Sequence, residues 1–260
     1  VLVALIDVLD SLSPEEWRRP TACGSWDVKD VALHLLGDEV GNLSRRRDGF
    51  APGGSVAGWP ELVALVDRLN EQWVEAGRRM STRLVRDLLE CVGQQACDYF
   101  ASLDPLAIGG PVSWAGPQPA PVWLDVAREY TERWLHQQHI RDAVETPGLL
   151  QPRYLHPVLA TFVHALPRTY QSVEGPEGTL VSLKITGPAG GEWFLRREAG
   201  TWALRVVASR SADARIALPQ GVAWRMFTRG LGRDDALAAL SVDGDRELAL
   251  RILDAVSIIA

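Results

Sequence analysis

Glu129-Tyr-Thr-Glu-Arg-Trp-Leu-His-Gln-Gln-His139 sets polar side chains among bulky apolar ones. The stretch lies in the clearest helical pattern of the chain, Pro121 to about Val144, which Pro147-Gly148 closes. On a helix, Glu132 and His136 stand one turn apart on the same face. A carboxylate and an imidazole so placed can grip one divalent ion. Burying a carboxylate beside Trp134 and Leu135 is costly unless it is paired or bound to metal. The bland alternative is a surface ion pair, and the spacing alone does not remove it.

A third ligand must come from another segment. His34, in Val31-Ala-Leu-His-Leu-Leu36, is the best donor, although a lone histidine on an apolar face is more often a satisfied core residue. Asp38, one turn later, reads first as a hydrogen-bond acceptor for an imidazole or a solvated carboxylate, with a ligand role as the further alternative. His139 is a rival to His136. A His2Glu set leaves coordination positions open, as a catalytic metal requires. Cys23 reads as inert packing, with a redox thiol as the weaker alternative. His156 and His164 read as structural, and Trp17, Trp26, Trp123 and Trp134 as core.

Outward from this segment, the first half is helical. Val1–Leu12 carries Leu2, Leu5, Ile6 and Leu9 at helical spacing. Ser13-Pro14-Glu15-Glu16 is a start signal with a capping box, and Ser25 or Asp27 opens the helix that holds His34. Asp48–Pro60 reads as a loop. Glu61 to about Met80 and Thr82 to about Leu103 read as amphipathic helices, and the Pro/Gly-rich Asp104–Pro121 as a long connection. Four long helices predict a bundle, a fold that builds metal sites from facing helices.

The second half changes period. Gln151 to about Leu166 predicts a bridging helix. Leu180–Ile185, Glu192–Arg196, Thr201–Val207 and Ala214–Leu218 predict strands, with a short one at Leu240–Asp243. Helices are expected over Gln220–Arg229 and Arg246–Val256. The expected organisation is therefore two domains: residues 1–150, an all-α bundle, and residues 151–260, a small α+β domain. Arg225 and Arg229 are expected on one helical face, where they can clamp an anionic substrate.

Composition narrows the function. With 260 residues, 47% of them hydrophobic, and a net charge of -6, the chain can bury one large core or two small ones. The acidic excess lies in the first half. Neither half carries the basic stripe of a nucleic-acid binder, and no apolar run approaches the ~20 residues of a membrane span. Val1–Ile6 has no basic start and is followed by Asp7 and Asp10, unlike a signal peptide. A chain that starts at Val1 is expected to have lost, or to be written without, a short leader. An odd cysteine count (Cys23, Cys91, Cys97) without CxxC fits a reducing cytoplasm. Lys29 and Lys184 are the only lysines, which reads as coding bias toward arginine.

Three segments together carry a family resemblance: Leu12-Ser-Pro-Glu-Glu-Trp17, Pro20-Thr-Ala-Cys-Gly-Ser-Trp-Asp-Val-Lys-Asp-Val-Ala-Leu-His34, and Glu129 through Ala143. They resemble the mycothiol-dependent maleylpyruvate isomerase family, a group of DinB-like metal-binding four-helix bundles. Ile185-Thr-Gly through Trp202, Ala212-Asp-Ala-Arg215 and Val242-Asp-Gly-Asp245 resemble its sterol-carrier-like C-terminal domain. The resemblance implies His34, Glu132 and His136 as metal ligands and zinc as the metal. It also implies mycothiol, an actinobacterial low-molecular-weight thiol, as cosubstrate. Where many relatives carry Asp three residues after the second histidine, this chain has His139, which puts maleylpyruvate itself in doubt as the substrate.

The expected function is thus a thiol-dependent isomerase or S-transferase acting on a small electrophile, as a monomer or homodimer. The alternatives are a metal-dependent hydrolase and a small-molecule binding or sensing module.

Overall fold

The computed structural model describes residues 1–50, 58–208 and 210–258; most of the expected Asp48–Pro60 loop lies outside them. Its contacts define two compact units. The first comprises Val1–Pro105 and Glu132–Leu149; the second comprises Leu106–Thr131 and the chain from Leu150 onward.

The first unit holds α1 (Leu2–Ser11), α2 (Val28–Asn42), α3 (Trp59–Gly77), α4 (Thr82–Ala101) and the later part of α5 (Val122–Ala143). α2 packs against both α3 and α4. It buries Val28, Val31, Ala32, Leu33, Leu35 and Leu36 with Asp30, His34 and Glu39, so it is covered all round rather than along one stripe. That burial is why His34 is enclosed. Gly37 permits the approach of α3: a Cβ there would stand 2.7 Å from Trp73 Cδ1. The Trp73 indole N–H meanwhile donates to the Leu33 carbonyl at 2.8 Å.

The start of α2 is fixed by side chains. The Asp27 carboxylate accepts from the Asp30 N–H at 2.9 Å, and Asp30 reaches back to the Asp27 N–H. Asp30 also takes two hydrogen bonds from Arg78, at 3.0 and 2.9 Å, just past the end of α3. The capping box expected at Ser13 forms, with Ser13 N–H on Glu16 Oε2 at 2.8 Å. It opens only a 3₁₀ turn over Glu16–Arg18, because Pro20 drives Arg19 to extended backbone (ψ 134).

The second unit carries α6 (Pro152–Phe162), α7 (Leu166–Thr169) and a five-stranded sheet. Its strands are β1 (Leu180–Thr186), β2 (Gly191–Glu198), β3 (Thr201–Arg205), β4 (Ala214–Pro219) and β5 (Ser241–Gly244), in the order β3-β2-β1-β4-β5. β1 lies at the centre, antiparallel to β2 and parallel to β4, so Leu183 faces Trp193 on one side and Ile216 on the other. α8 (Gln220–Phe227), α9 (Arg233–Ala239) and α10 (Arg246–Leu250) complete it. Phe162, Tyr170 and Phe227 are fully buried in it. The architecture is a helical bundle followed by an α+β unit, as the sequence predicts.

A candidate metal centre in the helical bundle

α2 and α5 bring His34, Glu132 and His136 together. Glu132 Oε1 lies 3.4 Å from His34 Nε2 and 3.0 Å from His136 Nε2. The two imidazole rings meet edge to face, with centroids 4.5 Å apart. His34 is 5% exposed, whereas Glu132 and His136 keep 28% and 14% of their side-chain surface. The set is therefore walled on the α2 side and open on the α5 side. Trp26 forms part of that wall, with its ring 5.2 Å from His34.

These donors fit a divalent ion. Ligands about 2.1 Å from one tetrahedral ion stand about 3.4 Å from each other. The carboxylate-to-imidazole distances, 3.4 and 3.0 Å, are near that edge length. Burial pushes the Glu132 carboxyl up, but hydrogen bonds to His136 and His34 outweigh it and hold the group well below the usual carboxylate range. Burial lowers the His136 imidazole, and its contacts with Cys23 and Glu132 reverse this and raise it to about 10. A metal ion would take the place of the protons that now satisfy this cluster. Asp38 Oδ2 stands 3.8 Å from His34 Nε2, beyond hydrogen-bond range. His34 Nδ1 is buried with no hydrogen-bond partner among the described residues.

Neighbouring groups hold these side chains in place. Arg133, next to Glu132, forms a two-pronged pair with buried Glu39 of α2, both contacts at 2.6 Å. The Trp134 indole N–H donates to the Leu149 carbonyl at 3.0 Å. Gln138 accepts from the Leu149 N–H at 3.1 Å. These bonds fix the rotation of α5 about its axis, and hence the direction of Glu132 and His136.

Cys23 adjoins this centre, although the sequence reads it as packing. Its Sγ lies 2.9 Å from His139 Nδ1 and 3.7 Å from His136 Nδ1. A tight turn carries it there, closed by Thr21 N–H to the Trp26 carbonyl at 3.1 Å and by the Pro20–Asp27 bridge. Burial raises the thiol, but the two imidazoles outweigh it and lower it to about 6. The sequence signal was the placement of Cys23 just before the cap of α2, with His139 one turn beyond His136.

The two arginines do not share a helical face. α8 ends at Phe227, and Arg229 lies beyond it in the left-handed region at φ 57, exposed. The Arg225 guanidinium covers the Trp224 ring at 4.1 Å and donates to the Gly221 carbonyl at 3.1 Å. His156 Nδ1 sits at the carbonyls of Ala189 and Gly190, and His164 lies edge-on to Trp123.

A helical bundle whose facing helices present two imidazoles and a carboxylate has the donor set of an open divalent-metal centre. The comparisons with known proteins narrow the class. A family model described as the mycothiol maleylpyruvate isomerase N-terminal domain matches residues 2–141, and the chain belongs to that family. Among solved structures it is similar to a His-to-Ala mutant of the mycothiol-dependent maleylpyruvate isomerase. That match is 10% identical, covers 93% of this chain and 88% of that one, and has a TM-score of 0.53. A second structure of that isomerase matches at 10% identity over 86% of this chain and 83% of that one, with a TM-score of 0.47. At this identity the likeness concerns the fold. No curated protein matches the chain. No helix among the described residues is long and apolar enough to cross a membrane.

Proposed function

We propose that this protein is a metal-dependent isomerase or S-transferase that uses mycothiol on a small, electrophilic, anionic substrate. The observation that carries the reading is the convergence of His34 Nε2 and His136 Nε2 on Glu132 Oε1 within a chain of this family. Zinc suits two imidazoles and a carboxylate. When bound, the ion supplies a Lewis acid that stabilises the thiolate form of a thiol near neutral pH.

The chain's own residues do the rest. His34, Glu132 and His136 bind and orient. The open α5 side admits the thiol, while Trp26 keeps water from the His34 side. In the isomerase form, the cosubstrate thiolate adds to one carbon of a conjugated double bond. The carbon–carbon bond then rotates, and the same thiolate leaves. In the transferase form the carbon–sulfur bond persists and the substrate's neighbouring carbon takes up a proton.

Elemental analysis and mycothiol titration test this. Purified protein should carry stoichiometric divalent metal, and the cobalt-substituted form should change its visible spectrum when mycothiol is added. His34→Ala and Glu132→Ala should each lose the ion at this position and the thiol-dependent turnover with unchanged far-UV circular dichroism. Unchanged metal content in both variants would end the proposal. The carboxylate-binding role of Arg225 and Arg229 is a separate proposal. A raised KM for an anionic substrate at constant kcat in Arg229→Ala supports it, and an unchanged KM removes it.

A further inference from the structure

Cys23, His136 and His139 form a second convergence of donor atoms beside the first. His136 and His139 project from successive turns of α5, and Cys23 comes from the turn before α2. The shared residue decides how many positions exist. His136 turns Nε2 toward Glu132 at 3.0 Å and Nδ1 toward Cys23 at 3.7 Å. These nitrogens sit at separated corners of one ring, and their lone pairs diverge. No single ion can use both, so the two donor groups mark two positions joined through one imidazole.

Their chemistry differs as well. The first group offers oxygen and nitrogen; the second offers sulfur and nitrogen, which selects soft or borderline cations. A thiolate and an imidazole on one tetrahedral zinc-class ion stand about 3.6 Å apart. The Cys23–His136 separation of 3.7 Å is already there. The Cys23–His139 pair, at 2.9 Å, must open by roughly 0.7 Å. Both residues are partly exposed, so an ion can reach them.

We propose that Cys23, His136 and His139 hold a second, thiophilic divalent ion of the zinc class, with His136 bridging it to the position at His34 and Glu132. Binding displaces the Cys23 thiol proton and the His136 Nδ1 proton to solvent, and nothing is oxidised or reduced. The proposal adds to the metal reading of the first group, and the two can fail separately.

The experiment is a cobalt(II) titration of the metal-free full chain, with bound ion counted by equilibrium dialysis. Wild type should take up a second equivalent, accompanied by a thiolate-to-cobalt charge-transfer band in the near ultraviolet. Cys23→Ser and His139→Gln should each lose that equivalent and the band. His34→Ala should lose the other equivalent and keep the band. A wild type that binds one equivalent without the band overturns the second position. So does loss of the band in His34→Ala, which would make Cys23 a ligand of the first ion. Failure of the first position instead reads as His34→Ala binding as much cobalt as wild type. A measurement on unmutated protein guards against misfolded variants. Cadmium(II) should slow alkylation of Cys23 at least about tenfold while leaving Cys91 and Cys97 unchanged. Equal rates with and without cadmium overturn the proposal.

Discussion

Glu39→Gln should destabilise the bundle far more than its size suggests. The substitution keeps the shape of the side chain and removes its charge. In the native bundle Arg133 Nε and Nη2 each donate to one Glu39 oxygen at 2.6 Å, with 13% and 5% of the two side chains exposed. Removing one partner of such a buried pair costs about 3–5 kcal/mol, because the other charge loses the carboxylate that faces it. The Arg133 guanidinium also lies over the Phe100 ring at 5.4 Å. Arg133 keeps this and its other contacts in the variant, which sets the expected loss at the low end, about 3 kcal/mol. Roughly a fifth to three fifths of a typical domain's stability would go. At about 2–4 °C per kcal/mol, the melting temperature should fall by about 6–12 °C. Urea unfolding followed by far-UV circular dichroism measures this directly. A loss under about 1 kcal/mol for Glu39→Gln would place the pair in the class of surface ion pairs and refute the reasoning.

Three further outcomes follow from geometry. In metal-free protein, the alkylation rate of Cys23 should titrate with a midpoint near 6, where His136 and His139 overcome the effect of burial; a midpoint above 8 contradicts this. The sign for stability is that of an acid depressed by folding: the Cys23 contribution is complete above its unfolded pKa of about 8.5 and is lost as pH falls through about 6. Asp27→Ala should lose about 1 kcal/mol or more in denaturant melts, because the α2 cap disappears. Gly244→Ala should express poorly or melt early: its φ is +82, and a Cβ there would stand 2.2 Å from the Asp213 carbonyl oxygen. A wild-type melting curve would refute that account.

The sequence made the centre legible where chemistry and helical period coincide. Glu132 and His136 share a face because of their spacing, whereas the apolar run around His34 by itself favours a core residue, and the family resemblance joins it to the pair. The start of α2 is legible to within two residues, at Ser25 or Asp27, because a cap is local, and the structure uses Asp27. Ser13 forms the capping box that its sequence signals, and only a 3₁₀ turn follows because Pro20 acts within the same few residues. α9 went unread. It has no side-chain cap and, at seven residues, is too short to display a period. Cys23 shows the limit of local reading, because its partners lie more than a hundred residues away and only the packing of α5 brings them close. Arg225 and Arg229 were placed on one face by counting, and the left-handed turn at Arg229 ends the helix before that count applies.

Asp27 stands between the two histidine-containing groups in a second sense, as a divider along the chain. The residues from Val28 to His34 are continuous helix, so inserting one among them turns His34 by about 100° away from Glu132. The turn over Thr21–Trp26 is closed on itself, and Gly24, at φ +63, has no atom within 4 Å of where a Cβ would stand. Lengthening that turn by a residue displaces Cys23 and leaves the phase of α2 intact. Insertions therefore separate what substitutions of the shared His136 cannot: one loop length tunes the sulfur, and one helix register tunes the imidazole.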